Sequence, residues 1–256
     1  MKKHTISAHA SILDALCALN ALPGGSMTLF VLDDSGAVTG TLTDGDIRRA
    51  LIAGAGTDAH VSDAAMRTFR SVRADNIDPA VLRDFRTAGI TMIPVLDAGG
   101  RLADILDLSS RRTRLPLKAV LMAGGKGERL RPMTEKTPKP LLQIEGKAII
   151  DYNIEALAAC GIDDIYVTTR YLAEQIEEHF ARPVAGVRVK CVCEDSPCGT
   201  IGSVALTGVA ESDGDTLVMN SDLLTTISFE DMYLHHRDNH ADITVAVVPY
   251  QVSVPF

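Results

Sequence analysis

From position 118 onward, short apolar runs alternate with longer stretches whose apolar residues recur three and four positions apart. KAVLMA (118–123), DDIYVTT (163–169), VRVKCVC (187–193), TLVMN (216–220) and ADITVAVV (241–248) read as strands. AIIDYNIEALAACG (148–161), LAEQIEEHF (172–180), TIGSVALTGVA (200–210) and SFEDMYLHHRDN (228–239) read as helices, the first closing on Gly161. Strands alternating with helices predict an α/β fold, a mostly parallel sheet with helices on both faces. Such sheets bind ligands at the carboxyl ends of their strands.

The first region has another rhythm. FVLDDSGAVTGTLTDGDI (30–47) resembles IPVLDAGGRLADILDLSS (93–110), with Asp33 and Asp97, Gly36 and Gly100, and Val38 and Leu102 each 64 positions apart. Each copy reads strand, turn, strand, helix, and each follows a helical stretch, ASILDALCALNAL (10–22) or DPAVLRDFRTAG (78–89). One such unit cannot bury its sheet alone, so the two are expected to pack face to face. The polar, basic SSRRTRLPLK (109–118) divides this region from the next. The expected domains are 1–112 and 118–256, with 113–117 as linker.

Composition narrows the function. The chain has 256 residues, 46% hydrophobic and 23% charged, as in a globular protein. A net charge of −8 argues against a general nucleic-acid surface, so any anion site is a local basic pocket. No apolar run reaches the roughly 18 residues of a membrane span. No signal peptide is evident, and five cysteines do not suggest a disulfide framework, so a cytoplasmic location is expected.

One stretch carries local positive charge. LMAGGKGERLRPMTEKTPKP (121–140) follows a strand with Gly124, Gly125 and Gly127, then crowds Lys126, Arg129, Arg131, Lys136 and Lys139 among prolines. Glycines allow close backbone approach, and successive N–H groups make an anion cradle. It is not a Walker A loop, because Glu128 and Arg129 follow Gly127 where Lys and Ser or Thr are required. Nor is it a dinucleotide fingerprint, because Leu130 stands at the third glycine position and Pro132 interrupts any long helix.

GGKGERLRPMTEKTPKPLL resembles the signature of sugar-1-phosphate nucleotidyltransferases (nucleotide-sugar pyrophosphorylases). EDSPCGTIGSV (194–204), MNSD (219–222) and VPYQVSVPF (248–256) resemble further landmarks in the same order. The resemblance covers 118–256 and implies a Rossmann-like, GT-A-like domain. Its implied reaction joins a nucleoside triphosphate to a sugar 1-phosphate with release of pyrophosphate. It gives Arg129 and Lys139 catalytic roles on the phosphates, and Asp222 a Mg²⁺-binding role. Met122, Ala123, Gly124, Gly125, Gly127, Glu194, Gly199 and Thr200 would contact the nucleotide. In the family a sugar-binding half and a second metal-binding Asp lie beyond the point matching Phe256, so an incomplete C-terminal fold is expected. Three departures stand out: Glu128 in place of Ser or Thr, expected to point away from phosphate or pair with a lysine; Ser221 in place of Gly; and Cys198 in place of an apolar residue. The domain order favours GTP, with UTP, dTTP and CTP as alternatives.

Residues 1–112 resemble a tandem CBS (Bateman) pair, carried by GTLTDGD (40–46). The resemblance implies Thr43 on phosphate and Asp46 on ribose hydroxyls of an adenine nucleotide, and a homodimer or larger assembly through the pair. Asp46 equally suits a helix cap. The second copy has Asp107 and Ser110 at the matching positions. The alternative to an enzyme is a nucleotide-binding regulatory or dimerising module.

Other candidates read as structural. Arg131, Lys126 and Lys136 suit a general positive field. Cys191, Cys193 and Cys198 lack a fourth zinc ligand at clear spacing and suit small hydrophobes. His236 and His240 share a helix face without the glutamate of a zinc-protease motif.

Overall fold

The computed structural model describes residues 2–23, 27–199 and 201–249. It separates into two compact units, Met1–Thr113 and Arg114–Phe256.

The first unit builds the same small sheet twice. Strand β1 (Thr5–Ser7) precedes helix α1 (Ile12–Asn20), and strands β2 (Thr28–Leu32) and β3 (Val38–Thr43) lead into α2 (Asp44–Ile52) and α3 (Val61–Ala64). The repeat supplies β4 (Val72–Arg73), α4 (Pro79–Thr87), β5 (Met92–Leu96) and β6 (Leu102–Asp107). In both sheets the first strand runs parallel to the second and the second antiparallel to the third. Each hairpin has its irregularity at the same place, between Val31 and Leu32 or between Val95 and Leu96.

The matched aspartates explain the matched turns. Asp33 Oδ1 accepts from the backbone N–H of Ser35 (2.9 Å) and Ala37 (3.0 Å). Asp97 Oδ1 accepts from Gly99 (2.8 Å) and Arg101 (2.9 Å). These bonds hold both carboxyls below the usual carboxylate range. The Ser35 hydroxyl is the larger cause for Asp33 and the Arg101 backbone N–H for Asp97. The hairpin tips then bond to each other: Val38 N–H donates to Gly100 O (3.2 Å) and Leu102 N–H to Gly36 O (3.3 Å).

Each copy has its own apolar cluster, around Ile12, Leu29, Val31 and Leu42 in the first and Leu82, Ile93 and Val95 in the second. Phe30 and Met92, on the opposite faces of their strands, are buried as well. Both sides of these strands are therefore covered. The copies differ after the third strand. The first enters α2, whereas the second makes only a turn, in which Asp107 accepts from Ser109 N–H (2.9 Å) and Arg111 N–H bonds back to Asp107 O (3.0 Å). The helix expected there is absent, because this local bonding and Pro116 stop propagation.

The second unit is a four-stranded parallel sheet in the order β11-β10-β7-β12. Its strands are β7 (Leu117–Met122), β10 (Asp164–Thr169), β11 (Lys190–Cys193) and β12 (Asp215–Asn220). A small antiparallel ribbon, β8 (Gln143–Ile144) and β9 (Lys147–Ala148), lies between β7 and α5 (Ile149–Ala159). Helices α6 (Ala173–His179) and α7 (Phe229–Asp238) follow β10 and β12. Ala119 and Leu121 of β7 pack in one core with Ile150, Ile154 and Leu157 of α5. Helix α5 ends as its sequence asks: Gly161 N–H bonds to Ala158 O (2.9 Å) and Ile162 N–H to Leu157 O (3.1 Å).

Two expected elements take other forms. The helix read over 200–210 becomes two 3-10 segments, Gly202–Thr207 and Val209–Glu211, interrupted at Gly208, whose φ of 70° no helix continues through. The strand read over 241–248 does not form among its described residues, and Ile243 and Val248 are 81% and 88% exposed. A strand requires a ladder partner, and β12 pairs only with β7 among the described residues.

Two measurements test this account. Ile154→Ala removes a fully buried side chain and is expected to cost the second unit about 2–5 kcal/mol in denaturant unfolding; a loss near zero would contradict the packing. Thr43→Ala removes the cap of α2, whose Oγ1 accepts from Asp46 N–H (3.3 Å), and is expected to cost the first unit about 1 kcal/mol.

Candidate functional site

Strands β7, β10, β11 and β12 are parallel, so their carboxyl ends share one edge. The chain runs from β7 to β10 and β11 on one side, then crosses to β12 on the other. At this reversal an open cleft of about 720 Å³ is lined by Gly124, Gly125, Gly127, Arg129, Lys139 and Asp222, among others. Met122, Ala123, Glu194 and Gly199 line it too. Of the site residues predicted for this unit only Thr200 goes unplaced, lying outside the described residues.

Two glycines of the loop sit in close quarters, and at Gly127 the backbone conformation also favours glycine. A Cβ on Gly124 would sit 2.7 Å from Glu194 Oε1. Gly127 has φ of 62°, and a Cβ there would meet Thr134 Cγ2 at 3.0 Å and Lys139 Cβ at 3.2 Å. The loop beyond is pinned by side chains the sequence reading passed over. Buried Thr134 donates from its hydroxyl to Gly127 O (2.8 Å). Tyr171 OH donates to Thr134 O and Glu135 O (both 3.1 Å), and Gln175 Nε2 to Lys136 O (3.0 Å). Lys139 then opens a 3-10 turn, Lys139–Leu141, with Pro138 and Pro140 stiffening the backbone on either side.

Lys139 Nζ forms an ion pair with Asp222 Oδ2, linking the end of the loop to the end of β12. The carboxylate is held from behind. Ser221 donates to Met122 O through its N–H (3.2 Å) and its hydroxyl (2.8 Å), and buried Asn153 on α5 donates to Ser221 O (3.0 Å). The serine that replaces glycine here thus ties β12 to β7. Arg129 makes no side-chain hydrogen bond or ion pair among the described residues.

Glu128 also lines the cleft, and its Oε1 lies 4.0 Å from Arg131 Nη2, an arginine where a lysine is one of the two expectations. Cys198 is half-buried and lies 3.3 Å from Ser196 O, Cys193 is exposed, and burial pushes the Cys191 thiol up to about 11. The reading of these cysteines as buried hydrophobes therefore fails for Cys193, which sits at the end of the edge strand β11. Arg170, at the carboxyl end of β10, is a cleft residue that sequence reasoning missed. Its signal was available: it is the first residue after a strand of a parallel sheet.

Among the described residues no group of three or more His, Cys, Asp and Glu gathers into a metal cage. Mg²⁺ does not need one, since it is held through one or two carboxylates completed by substrate phosphates and water. Asp222, a single carboxylate facing the same cleft as the glycine loop, fits that donor set.

In the first unit, Thr43 and Asp46 are engaged with each other. Asp46 Oδ2 accepts from Thr43 N–H (2.8 Å) and its hydroxyl (2.6 Å), and Arg49 pairs with Asp46 Oδ1. This is a complete capping box for α2. No described helix is long and apolar enough to cross a membrane.

The family model described as Nucleotidyl transferase matches residues 118–255, and the CBS domain model matches residues 1–53. A mannose-1-phosphate guanyltransferase of Gibberella zeae is 33% identical over 135 residues, 51% of this chain and 37% of the relative. The mannose-1-phosphate guanylyltransferase of Mycobacterium tuberculosis is 34% identical over 131 residues, 51% of this chain and 36% of that protein. Mannose-1-phosphate guanyltransferase beta-B of Xenopus laevis is 32% identical over 135 residues, 51% of this chain and 38% of its own length. The chain thus spans less than two-fifths of these relatives. With its glycine loop, basic groups and strand-end carboxylate gathered at one sheet edge, and with the family model matching more than half of the chain, the chain belongs to the nucleotidyl transferase family, and its residues 1–53 match the CBS domain model.

Proposed function

We propose that the second unit binds a nucleoside triphosphate, GTP in preference, and takes part in its transfer as a monophosphate to a sugar 1-phosphate with release of pyrophosphate. The observation that carries this reading is the convergence of the glycine loop, Arg129, Lys139 and Asp222 on one cleft. Both substrates are anions, and the reaction requires them to be neutralised and held in line. The backbone N–H groups of the loop from Gly124 to Gly127 cradle the triphosphate. The unpartnered Arg129 guanidinium forks onto the leaving phosphates. Lys139, on its stiff turn, meets the α-phosphate or the sugar phosphate as a point charge. Asp222 would hold Mg²⁺, which when bound supplies charge neutralisation across phosphate oxygens. Glu194 faces the nucleobase, and its buried carboxylate accepts the adjacent N–H groups of guanine. No covalent nucleophile on the protein is required.

GTP is favoured because the curated relatives are guanylyltransferases. Their sugar, mannose 1-phosphate, extends to this chain as part of the same proposal. For residues 1–112 the proposal is an adenine-nucleotide sensor or a dimerising module, with Thr43 and Asp46 releasing their mutual bonds to take a ligand. The setting is the cytoplasm, in keeping with five free cysteines.

A thermal-shift panel of GTP, UTP, dTTP, CTP, ATP and AMP, each with and without Mg²⁺, tests the assignment, since a bound ligand stabilises by mass action. The expected result is a Mg²⁺-dependent shift strongest with GTP and abolished by Asp222→Ala. A shift with adenine nucleotides alone, unaffected by Asp222→Ala, would overturn the transferase reading in favour of the regulatory module. Arg129→Ala is expected to weaken triphosphate binding about tenfold or more while leaving the unliganded Tm unchanged, because the side chain is exposed and has no hydrogen bond or ion pair among the described residues to lose; unchanged binding would remove Arg129 from the site.

A further inference from the structure

Arg170 and Glu194 stand at the β10–β11 side of the cleft, and Asp222, paired with Lys139, stands at the β12 side. Arg170 follows β10 and Glu194 follows β11, while Asp222 follows β12, and the glycine loop of β7 lies between them. A Cβ on Gly124 would sit 2.7 Å from Glu194 Oε1 and 3.4 Å from Arg170 Cβ, so the two side chains flank one point above the end of β7. Glu194 is only 8% exposed. Neither side chain makes a hydrogen bond or ion pair among the described residues, so a donor and an acceptor line the same cleft with their bonding capacity unspent.

That combination fits one nucleobase edge. Guanine presents a carbonyl acceptor, O6, next to two donors, N1–H and the N2 amine. A guanidinium matches O6 and a carboxylate matches the two donors. Adenine would set its amine against the arginine and a ring acceptor against the carboxylate. Uracil and thymine offer one N–H between two carbonyls, leaving a carboxylate oxygen unpaired.

We propose that Arg170 is a base-selecting residue, its guanidinium donating to guanine O6 while Glu194 accepts from N1–H and N2–H. The inference rests on the guanylyl-transfer reading and deepens it. A phosphate role suits Arg170 less well, because Arg129 and Lys139 already serve the triphosphate and the metal-directed carboxylate stands on the far side of β7.

The test is direct titration of the 256-residue chain, with Mg²⁺, using GTP, inosine triphosphate, 2-aminopurine riboside triphosphate (which lacks O6 and the N1 proton), UTP, CTP and dTTP. Arg170→Met is expected to weaken GTP about tenfold or more and leave the 2-aminopurine nucleotide within about twofold of wild type, narrowing the preference between them to the part that Glu194 reads at N1–H. The penalty for inosine, which lacks only the N2 amine read by Glu194, should persist. Arg170→Lys should recover part of the GTP affinity. An equal loss for every nucleotide would make Arg170 a phosphate contact and overturn the proposal, as would an unchanged GTP to 2-aminopurine ratio. If wild type itself prefers a pyrimidine triphosphate, the guanylyl reading fails, and the role of Arg170 falls with it. If wild type prefers GTP and only the Arg170→Met ratio stays fixed, the reading stands and Arg170 alone is excluded.

Discussion

The parallel pairing of β7 with β10 on one side and β12 on the other is the constraint on which the second unit depends. Parallel ladders bring every carboxyl end to one edge, and a central first strand makes the following loops diverge around it. The register sets Thr168 and Asn220 on opposite flanks of Met122. Residues far apart in sequence, Gly124, Arg170, Glu194 and Asp222, therefore meet with no segment between them at the sheet edge. Buried side chains secure that edge from beneath: Asn153 on α5 holds Ser221 O, and Thr168 Oγ1 donates to Ser203 Oγ (3.1 Å).

Charge is arranged on the same plan. The protein carries a net −8, and its cleft gathers Arg129, Lys139 and Arg170 beside Glu128, Glu194 and Asp222, so basic and acidic groups are balanced there. Field inside a cleft is set by the nearest groups and low-dielectric walls, and the distant acidic surface is screened within about a Debye length. Lys139 has its countercharge in Asp222, so the unliganded cleft is not a bare cluster of cations. Tyr171 and Gln175 hold the loop by its carbonyls, which keeps the cations in place without neutralising them.

The glycine loop, the order of the strand-end motifs and the repeat were legible because each is a local pattern with a steric or hydrogen-bonding cause. Gly127 is legible as a glycine because its left-handed backbone and close neighbours disfavour a side chain. Asp33 and Asp97 are legible because a turn aspartate bonds its own neighbours. Tyr171, Gln175 and Asn153 were not, because their roles arise from strand order and helix placement rather than from spacing. The 200–210 segment misled through its small apolar residues, where Gly208 decides the outcome. The 241–248 segment has strand composition, but strand formation depends on a neighbour, which no single segment encodes.

The junction between the two hairpin tips of the first unit is made of main-chain bonds, from Val38 to Gly100 and from Leu102 to Gly36. Such a joint reads backbone shape, which Gly36 and Gly100 supply at φ of 83° and 77°, rather than side-chain contacts. The two halves are thereby released from having to match elsewhere. One keeps Thr43 and Asp46 at the head of a helix while the other carries Asp107 and Ser110 in a turn, and the symmetry of the pair survives the difference. A duplicated module joined in this way can let one copy drift toward a new task while the other anchors it.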